Sequence, residues 1–411
     1  MTHVLSGFLA LAALGAVWFV YNIALTRLTR LPKLWRRVVE VSLAVLLVGG
    51  FLSLTVSRFL PNLPAWRPLL AVFLTGVAFL FYLALVLVPL LITAGVRRLA
   101  GFHGAPASDA PPRRALPSGR AAPPAGRWLR GCRTVVVGAL AVSAAVTAYG
   151  SYAFHCLVTA EVTVAAADLP AAFDGFRIAL VTDIHLGPVT TGADVQAIVE
   201  RVNAAQPDLI VLAGDLVDGS VEDLGGELSA LSGLQAREGT VVTTGNHEFR
   251  LDTDAWLAAF QSYGLRVLDN SALQIQRSGV SFDVIGVNDR QGSGAHGANL
   301  AKAAQMLPGG AAAAVGGAGR FRLLIAHEPV QALMEDNLPA ALGVDVQLSG
   351  HTHGGQLWPL GLFVRLSQPV VSGVHTVGGV QVVTSKGTGS WGPPVRVGAR
   401  PEVVIVTLRP A

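Results

Sequence analysis

The stretch 173–187, FDGFRIALVTDIHLG, decides how the rest of the chain is read. From Phe176 to Thr182 it is a short, almost wholly apolar run, the pattern of a strand buried on both faces. The run stops at Asp183-Ile184-His185, and Gly187-Pro188 then turns the chain. Asp183 and His185 stand two apart, so an extended backbone points both side chains the same way. A carboxylate and an imidazole presented together at a strand end can ligate a metal, although one such pair also fits a capped turn.

The same grammar recurs four more times. Residues 209–213 run into Gly214-Asp215, with Asp218 just beyond. Residues 240–244 end at Gly245-Asn246-His247-Glu248, residues 320–326 at His327, and residues 344–349 at Gly350-His351-Thr352-His353. Two imidazoles among three glycines at a strand end are hard to justify as packing. In α/β sheets, ligands collect outside the carboxyl ends of strands, so residues far apart in sequence can meet in one crevice. Helix-like segments at 192–205, 224–234, 252–263 and 299–306 alternate with the strand-like runs, which predicts an α/β core with largely parallel strands. After residue 350 the helical pattern stops. Runs at 371–374, 380–384 and 403–408 predict antiparallel strands completing a second sheet, and the Ala/Gly run 309–319 predicts a loop.

With FDGFRIALVTDIHLG, GDLVDG, GNHE and SGHTHGGQ in this order, the chain resembles the calcineurin-like metallophosphoesterases over roughly residues 174–409. It is most similar to the bacterial branch of YkuE-like and YaeI-like phosphodiesterases, whose closing segment is matched by GTGSWGPPVRVGARPEV at 387–403. The resemblance implies a four-layer α-β-β-α sandwich with two mixed sheets. It also implies two divalent metal ions, Asp183, His185 and His353 holding the first, Asn246, His327 and His351 the second, and Asp215 bridging them. A donor set of nitrogen and oxygen without thiolate suits Mn, Fe or Zn and does not choose among them. His247 is then the proton donor or transition-state stabiliser, with Glu248 orienting it.

Composition adds a second theme. The chain has 411 residues, 52% of them hydrophobic and 14% charged, with a mean hydropathy of +0.53, too apolar for a soluble enzyme throughout. Four stretches of about 20 residues, at roughly 4–25, 38–56, 69–96 and 134–157, are long enough to cross a bilayer. This predicts a membrane domain over 1–157 with four transmembrane helices, followed by a catalytic domain over 158–411. The Pro, Ala, Gly and Arg of 101–126 predict a disordered linker. Arg27, Arg30, Lys33, Arg36 and Arg37 fill the first connection, and eight arginines from Arg97 to Arg133 fill the third. The positive-inside rule puts both in the cytoplasm, which makes the protein multi-pass and its catalytic domain extracytoplasmic.

The formal charge of +4 divides unevenly at residue 157, into 15 − 2 = +13 before it and 15 − 24 = −9 after it. The basic residues flank apolar segments while the chemistry sits on acidic sequence, so duplex nucleic acid is not an expected partner. The expected partners are the membrane and a phosphorylated small-molecule or lipid substrate. Cys132 and Cys156 lie 156 − 132 = 24 residues apart across one apolar segment, roughly 36 Å if helical, too far for a disulfide.

Other residues read more plainly. Asp218 reads as a loop-ordering residue, His296 as a solvated loop histidine and His375 as an exposed turn residue. Leu357, Trp358, Leu360, Leu362 and Phe363 read as core, with an apolar lip for a lipid tail as the alternative. The leading function is a membrane-anchored dinuclear phosphoesterase acting on phosphodiester or pyrophosphate bonds. The alternatives are a broad phosphodiesterase for soluble nucleotides and a non-catalytic sensor or transporter carrying a phosphoesterase-like domain.

Overall fold

The computed structural model of the protein describes residues 18, 21–22, 32–56, 66–102, 125–250, 252–307, 310 and 319–411. Among the described residues, three long helices precede the strands, α1 (Lys33–Val56), α2 (Arg67–Phe102) and α3 (Ala125–Phe154). The chain packs as two units, Met1–Ser53 with Val72–Ala148, and Leu54–Ala71 with Tyr149–Ala411.

In the first unit Leu43 of α1, Leu80, Leu83 and Leu87 of α2, and Val136 and Ala139 of α3 form a buried cluster with Tyr21. Gly49 and Gly50 let α1 approach Phe73 and Val77 closely, since a Cβ at either would overlap those side chains. Two helical segments are long and apolar enough to cross a membrane by length and composition, Arg67–Leu90 and Thr134–Phe154. The expectation of four spans is thus met by two among the described residues. The stretch 38–56 is helical within the 24-residue α1 and contains Glu40. Most of 4–25, most of the linker 101–126 and most of the Ala/Gly run lie outside the described residues, and the linker's described ends, 101–102 and 125–126, are helical.

The second unit is built from twelve strands and shorter helices. One sheet has the order β1-β12-β2-β3-β4-β5, from Val158–Ala166, Glu402–Pro410, Arg177–Val181, Leu209–Ala213, Thr240–Thr243 and Arg266–Val267. The other has the order β10-β11-β9-β8-β7-β6, from Gly373–Val377, Val380–Thr384, Val346–Ser349, Arg322–Ile325, Val280–Gly286 and Ser271–Arg277. Both sheets are mixed, each with a run of parallel pairs, β2-β3-β4-β5 in one and β11-β9-β8-β7 in the other.

Alternating side chains explain the layering. Ile178, Leu180, Leu209 and Val211 point from the first sheet into the same core as Phe282, Val284, Leu323 and Leu348 from the second. The alternate residues Ala179, Val181, Ile210 and Leu212 pack on α4 (Gly192–Ala204), α5 (Val221–Leu228) and α6 (Thr253–Ser262). On the far side, Ile285, Leu324 and Val382 pack on α7 (Leu300–Gln305) and the region of α8 (Met334–Ala341). The result is the expected α-β-β-α stack.

The second-sheet expectation needs one correction. Val403–Leu408 lies in β12, which joins the first sheet between β1 and β2. Its nine residues alternate inward and outward with β2, so either sheet could have used the pattern, and only long-range pairing chose. The strands β1 and β6 and a short helix α9 (Gly361–Val364) are further elements that the sequence reading did not place.

At the centre, Phe282 meets Phe173, Phe176 and Phe321 edge to face with ring centroids 4.8, 5.4 and 5.5 Å away. Phe282→Ala should cost about 3–5 kcal/mol of stability through the cavity it leaves, read by equilibrium urea unfolding of the intact protein in detergent.

Candidate metal centre

Five parallel strands end at one edge of the stack, and each releases a ligand-type side chain there. Asp183 and His185 follow β2, Asp215 follows β3, Asn246 and His247 follow β4, His327 follows β8, and His351 and His353 follow β9. Asp183, His185, Asp215, His351 and His353 all hold φ between 49° and 67°. A left-handed backbone costs a non-glycine residue about 1–2 kcal/mol, so packing and contacts at this edge must hold five residues against their preference. Close approach makes this possible. A Cβ on Gly245 would overlap the Asp215 side chain, and one on Gly350 would overlap Thr182 and Asp183.

All seven expected ligands converge. His185 Nε2 lies 3.0 Å from His353 Nε2 and 3.7 Å from Asp215 Oδ2, and His353 Nε2 lies 3.4 Å from Asp183 Oδ1. On the other side of Asp215, His327 Nε2 lies 3.2 Å from Oδ2, and His351 Nδ1 lies 3.0 Å from the Asn246 amide. The donor atoms of Asp183, His185 and His353 fall within 4.8 Å of one another, and so do those of Asp215, His327 and His351. These are two adjoining clusters with Asp215 between them.

The donors fit cations better than they fit one another. His327 Nδ1 donates to the Ala213 carbonyl at 2.7 Å, which turns Nε2 toward the cluster as the nitrogen that could bind a cation. That nitrogen is buried, has no hydrogen-bond partner and faces a carboxylate oxygen. His185 repeats the arrangement, with Nδ1 donating to Asp218 at 3.0 Å and Nε2 turned to the cluster. The Asn246 amide is satisfied by hydrogen bonds only with its nitrogen inward; with its oxygen inward it faces acceptors alone, as a cation ligand does.

Electrostatics point the same way. Burial opposes ionisation of Asp215, yet the charges of His327 and His247 hold its carboxyl well below the usual range. Burial also disfavours a charged His327, but the Asp215 carboxylate overrides it and raises the imidazole well above its ordinary value. His185 is pushed up to about 9, burial again being outweighed by Asp218. His353 is pulled well below its usual value by burial and by neighbouring His185 and Arg396. The pocket gathers carboxylates out of water and demands positive charge among them.

Two residues have roles other than those expected. Glu248, completely buried, does not touch His247; it accepts from the backbone N–H groups of Asp215, Leu216 and Gly245 at 3.0, 2.7 and 2.7 Å. It therefore staples the β3 and β4 loops together, and burial with the nearby Asp215 charge pushes it up to about 7. His247 is oriented by Asp218 instead, which accepts from Nδ1 of both His247 and His185. Asp218 is thus more than a loop-ordering residue. Only its place in GDLVDG hinted at this.

Arg250, Arg290 and Arg396 were not singled out by sequence. Arg250 lies 3.3 Å from His247 Nδ1, and Arg290 pairs at 2.9 Å with buried Glu328, which follows His327. Arg396 is fully buried and donates to the carbonyls of Gly389, Lys386 and His353 at 3.0, 2.6 and 3.1 Å. His296 sits away from the cluster, against Asp254 and Asp269, and His375 is exposed on β10.

The sequence model of the calcineurin-like phosphoesterases matches residues 176–355, which contain every one of the seven converging residues. A metallophosphoesterase of Aquifex aeolicus is 30% identical over 64% of this chain and 95% of its own length. The chain belongs to the calcineurin-like metallophosphoesterase family. The YkuE metallophosphoesterase of Bacillus subtilis is 28% identical over 66% of this chain and 94% of that protein. A zebrafish (Danio rerio) "transmembrane protein with metallophosphoesterase domain" is 32% identical over 66% of this chain, which spans only 62% of the zebrafish protein.

In this metallophosphoesterase, Asp218→Asn removes the charge that fixes two imidazoles. It should weaken divalent-metal affinity about 10–100-fold, measured by calorimetry with Mn or Zn. In the parent protein, affinity should fall as pH drops through about 9, because His185, pushed up to about 9, must give up its proton to bind.

Proposed function

We propose that the chain is a membrane-anchored, dinuclear metal-dependent phosphoesterase whose catalytic unit lies outside the cytoplasm. Its substrates are phosphodiesters or pyrophosphates carried on lipid or envelope molecules. The observation that carries the chemistry is the pair of donor clusters with Asp215 between them, His327 Nε2 lying 3.2 Å from its carboxylate.

Asp183, His185 and His353 would hold one cation, Asn246, His327 and His351 the other, with Asp215 placed between them to serve both. Bound there, the pair supplies an activated water and charge neutralisation on the phosphoryl oxygens. The remaining steps belong to side chains. His247 stands at the cluster edge, its backbone N–H bonded to Asp215 Oδ1 at 2.8 Å and its ring Nδ1 held by Asp218. With Nδ1–H held by Asp218, a doubly protonated His247 would present its Nε2–H to the leaving oxygen, give up that proton and be left as a neutral imidazole. Glu248 keeps the two loops in register while this happens.

Anchoring is supported by the surfaces of the long helices. Val41, Val45, Val48 and Leu52 form an exposed stripe on α1, and Val72, Leu85 and Val88 on α2 and Val137 and Val142 on α3 are also exposed. A helix serving as a soluble core buries such residues; a helix in lipid need not.

Asp215→Asn should lower hydrolysis by about a thousandfold, since a bridging carboxylate supports several kcal/mol of transition-state stabilisation. The measurement is a purified-protein panel with Mn, Fe or Zn against lipid pyrophosphates, nucleotides and aryl diesters. Unchanged activity in the variant, or none with any metal, sinks the enzymatic reading, and preference for soluble nucleotides sinks the lipid one. Topology is checked separately: protease added to spheroplasts should clip residues 158–411, and protection there would reverse the orientation.

A further inference from the structure

Large apolar side chains are left bare around the loop that carries His353. Trp358, Leu362, Phe363 and Leu366 are 66%, 65%, 63% and 85% exposed, and Trp391 is 50% exposed. The expectation that this segment is core holds for Leu357, which is 7% exposed, is met halfway by half-buried Leu360, and fails for Trp358, Leu362 and Phe363. Leu362, Phe363 and Leu366 share one side of α9 and its following turn. The Trp358 loop is tied to the closing segment by its N–H to the Val397 carbonyl at 2.9 Å, and Trp391 is tied to the same loop through Gln356 at 3.0 and 3.1 Å. Soluble surfaces seldom gather so much exposed apolar area without covering it.

We propose that this face seats against the lipid surface itself, holding the metal centre at the headgroup layer; this rests on the membrane-anchored reading above and adds the surface that does the docking. The closing segment shows what lies beside it. The last turn of α3, the end of the apolar stretch Thr134–Phe154, is bonded into this segment, with the Arg396 N–H donating to the Gly150 carbonyl at 2.9 Å. Gly150 has no room for a side chain there, because a Cβ would run into Val395 and Val397. A helix leaving a bilayer and the bare tryptophans therefore share one stretch of backbone.

The chemistry around the patch fits a headgroup layer. Tyr149 and Tyr152, 54% and 70% exposed, stand on the same last turn of α3, and Trp and Tyr concentrate at membrane–water interfaces. Arg365 on the turn after α9 and Arg400 beyond Arg396 are exposed cations available to lipid phosphates. The start of the other apolar helix is also fixed to this unit, with Arg67 bonded to Glu227 at 2.6 and 3.2 Å. Arg396 then links the face to the chemistry, since its guanidinium holds the His353 carbonyl from the segment that meets α3.

The test uses the full-length protein in proteoliposomes of anionic and zwitterionic lipid, with Cys132→Ser and Cys156→Ser. The environment-sensitive fluorophore NBD is placed by Leu366→Cys or, separately, Leu362→Cys, with Met306→Cys as the reference on another exposed surface. Acyl-chain doxyl lipids should quench about half of the emission at 366 and 362 and leave 306 unchanged, as for a face sunk into the headgroup boundary. Equal, weak quenching at all three positions overturns the proposal. If iodide also fails to reach 366, a second copy or another protein covers the face; if iodide reaches it, water does. The readout needs no turnover, so a quenched but inactive protein fails only the function proposed above, and an active but unquenched one fails only this inference.

Discussion

The Asp215 carboxylate is the constraint on which the rest of the site depends. It is buried where the carboxyl ends of both sheets meet, with one oxygen taking the His247 N–H and the other facing His327, His185 and His247 at 3.2, 3.7 and 3.9 Å. A charge held out of water is tolerable only if its surroundings supply opposite charge or hydrogen bonds. Much of the local architecture answers that demand: Glu248 fixes the Asp215 and Gly245 backbones, and Gly245 has no side chain because Asp215 occupies the space. The two sheets are also joined here, through the His327 ring and the Ala213 carbonyl.

The supporting residues show why a ligand list is less than a site. An imidazole is aimed at a cation by committing its other nitrogen, and Asp218 supplies that commitment to His185 and His247, and the Ala213 carbonyl to His327, from segments distant in sequence. Glu248 looked like the partner of His247 because the two adjoin. In the fold the carboxylate turns away to three backbone donors, each charge-assisted bond being stronger than a neutral one, and Asp218 takes its place. Adjacency in sequence places neighbouring side chains of a turn in different directions.

The membrane theme and the chemical theme meet in the segment 387–400. That segment props the His353 loop through Arg396, receives the last turn of α3 and borders the exposed tryptophans. A soluble phosphoesterase has no need to leave such a face uncovered. Under the lipid-substrate reading proposed above such a face would help, because confining the site to the interface raises the effective concentration of substrate.

The four-layer stack entered only through the family resemblance; what the sequence by itself determined is the α/β core and the strand-end motifs that carry the seven converging residues. Each is local: a buried strand must be apolar over its whole length, and a ligand released at its carboxyl end must follow it directly. The glycines at 214, 245 and 350 were legible for the same reason. Tertiary structure alone decided that β12 enters the first sheet, that Asp218 rather than Glu248 orients His247, that Arg396 braces His353, and that Trp358 and Phe363 face outward. An alternating strand suits either sheet, a carboxylate takes whichever donors the fold brings near, and an apolar run reads alike whether it meets core or lipid. Those choices depend on what arrives from far along the chain, and no window of sequence contains it.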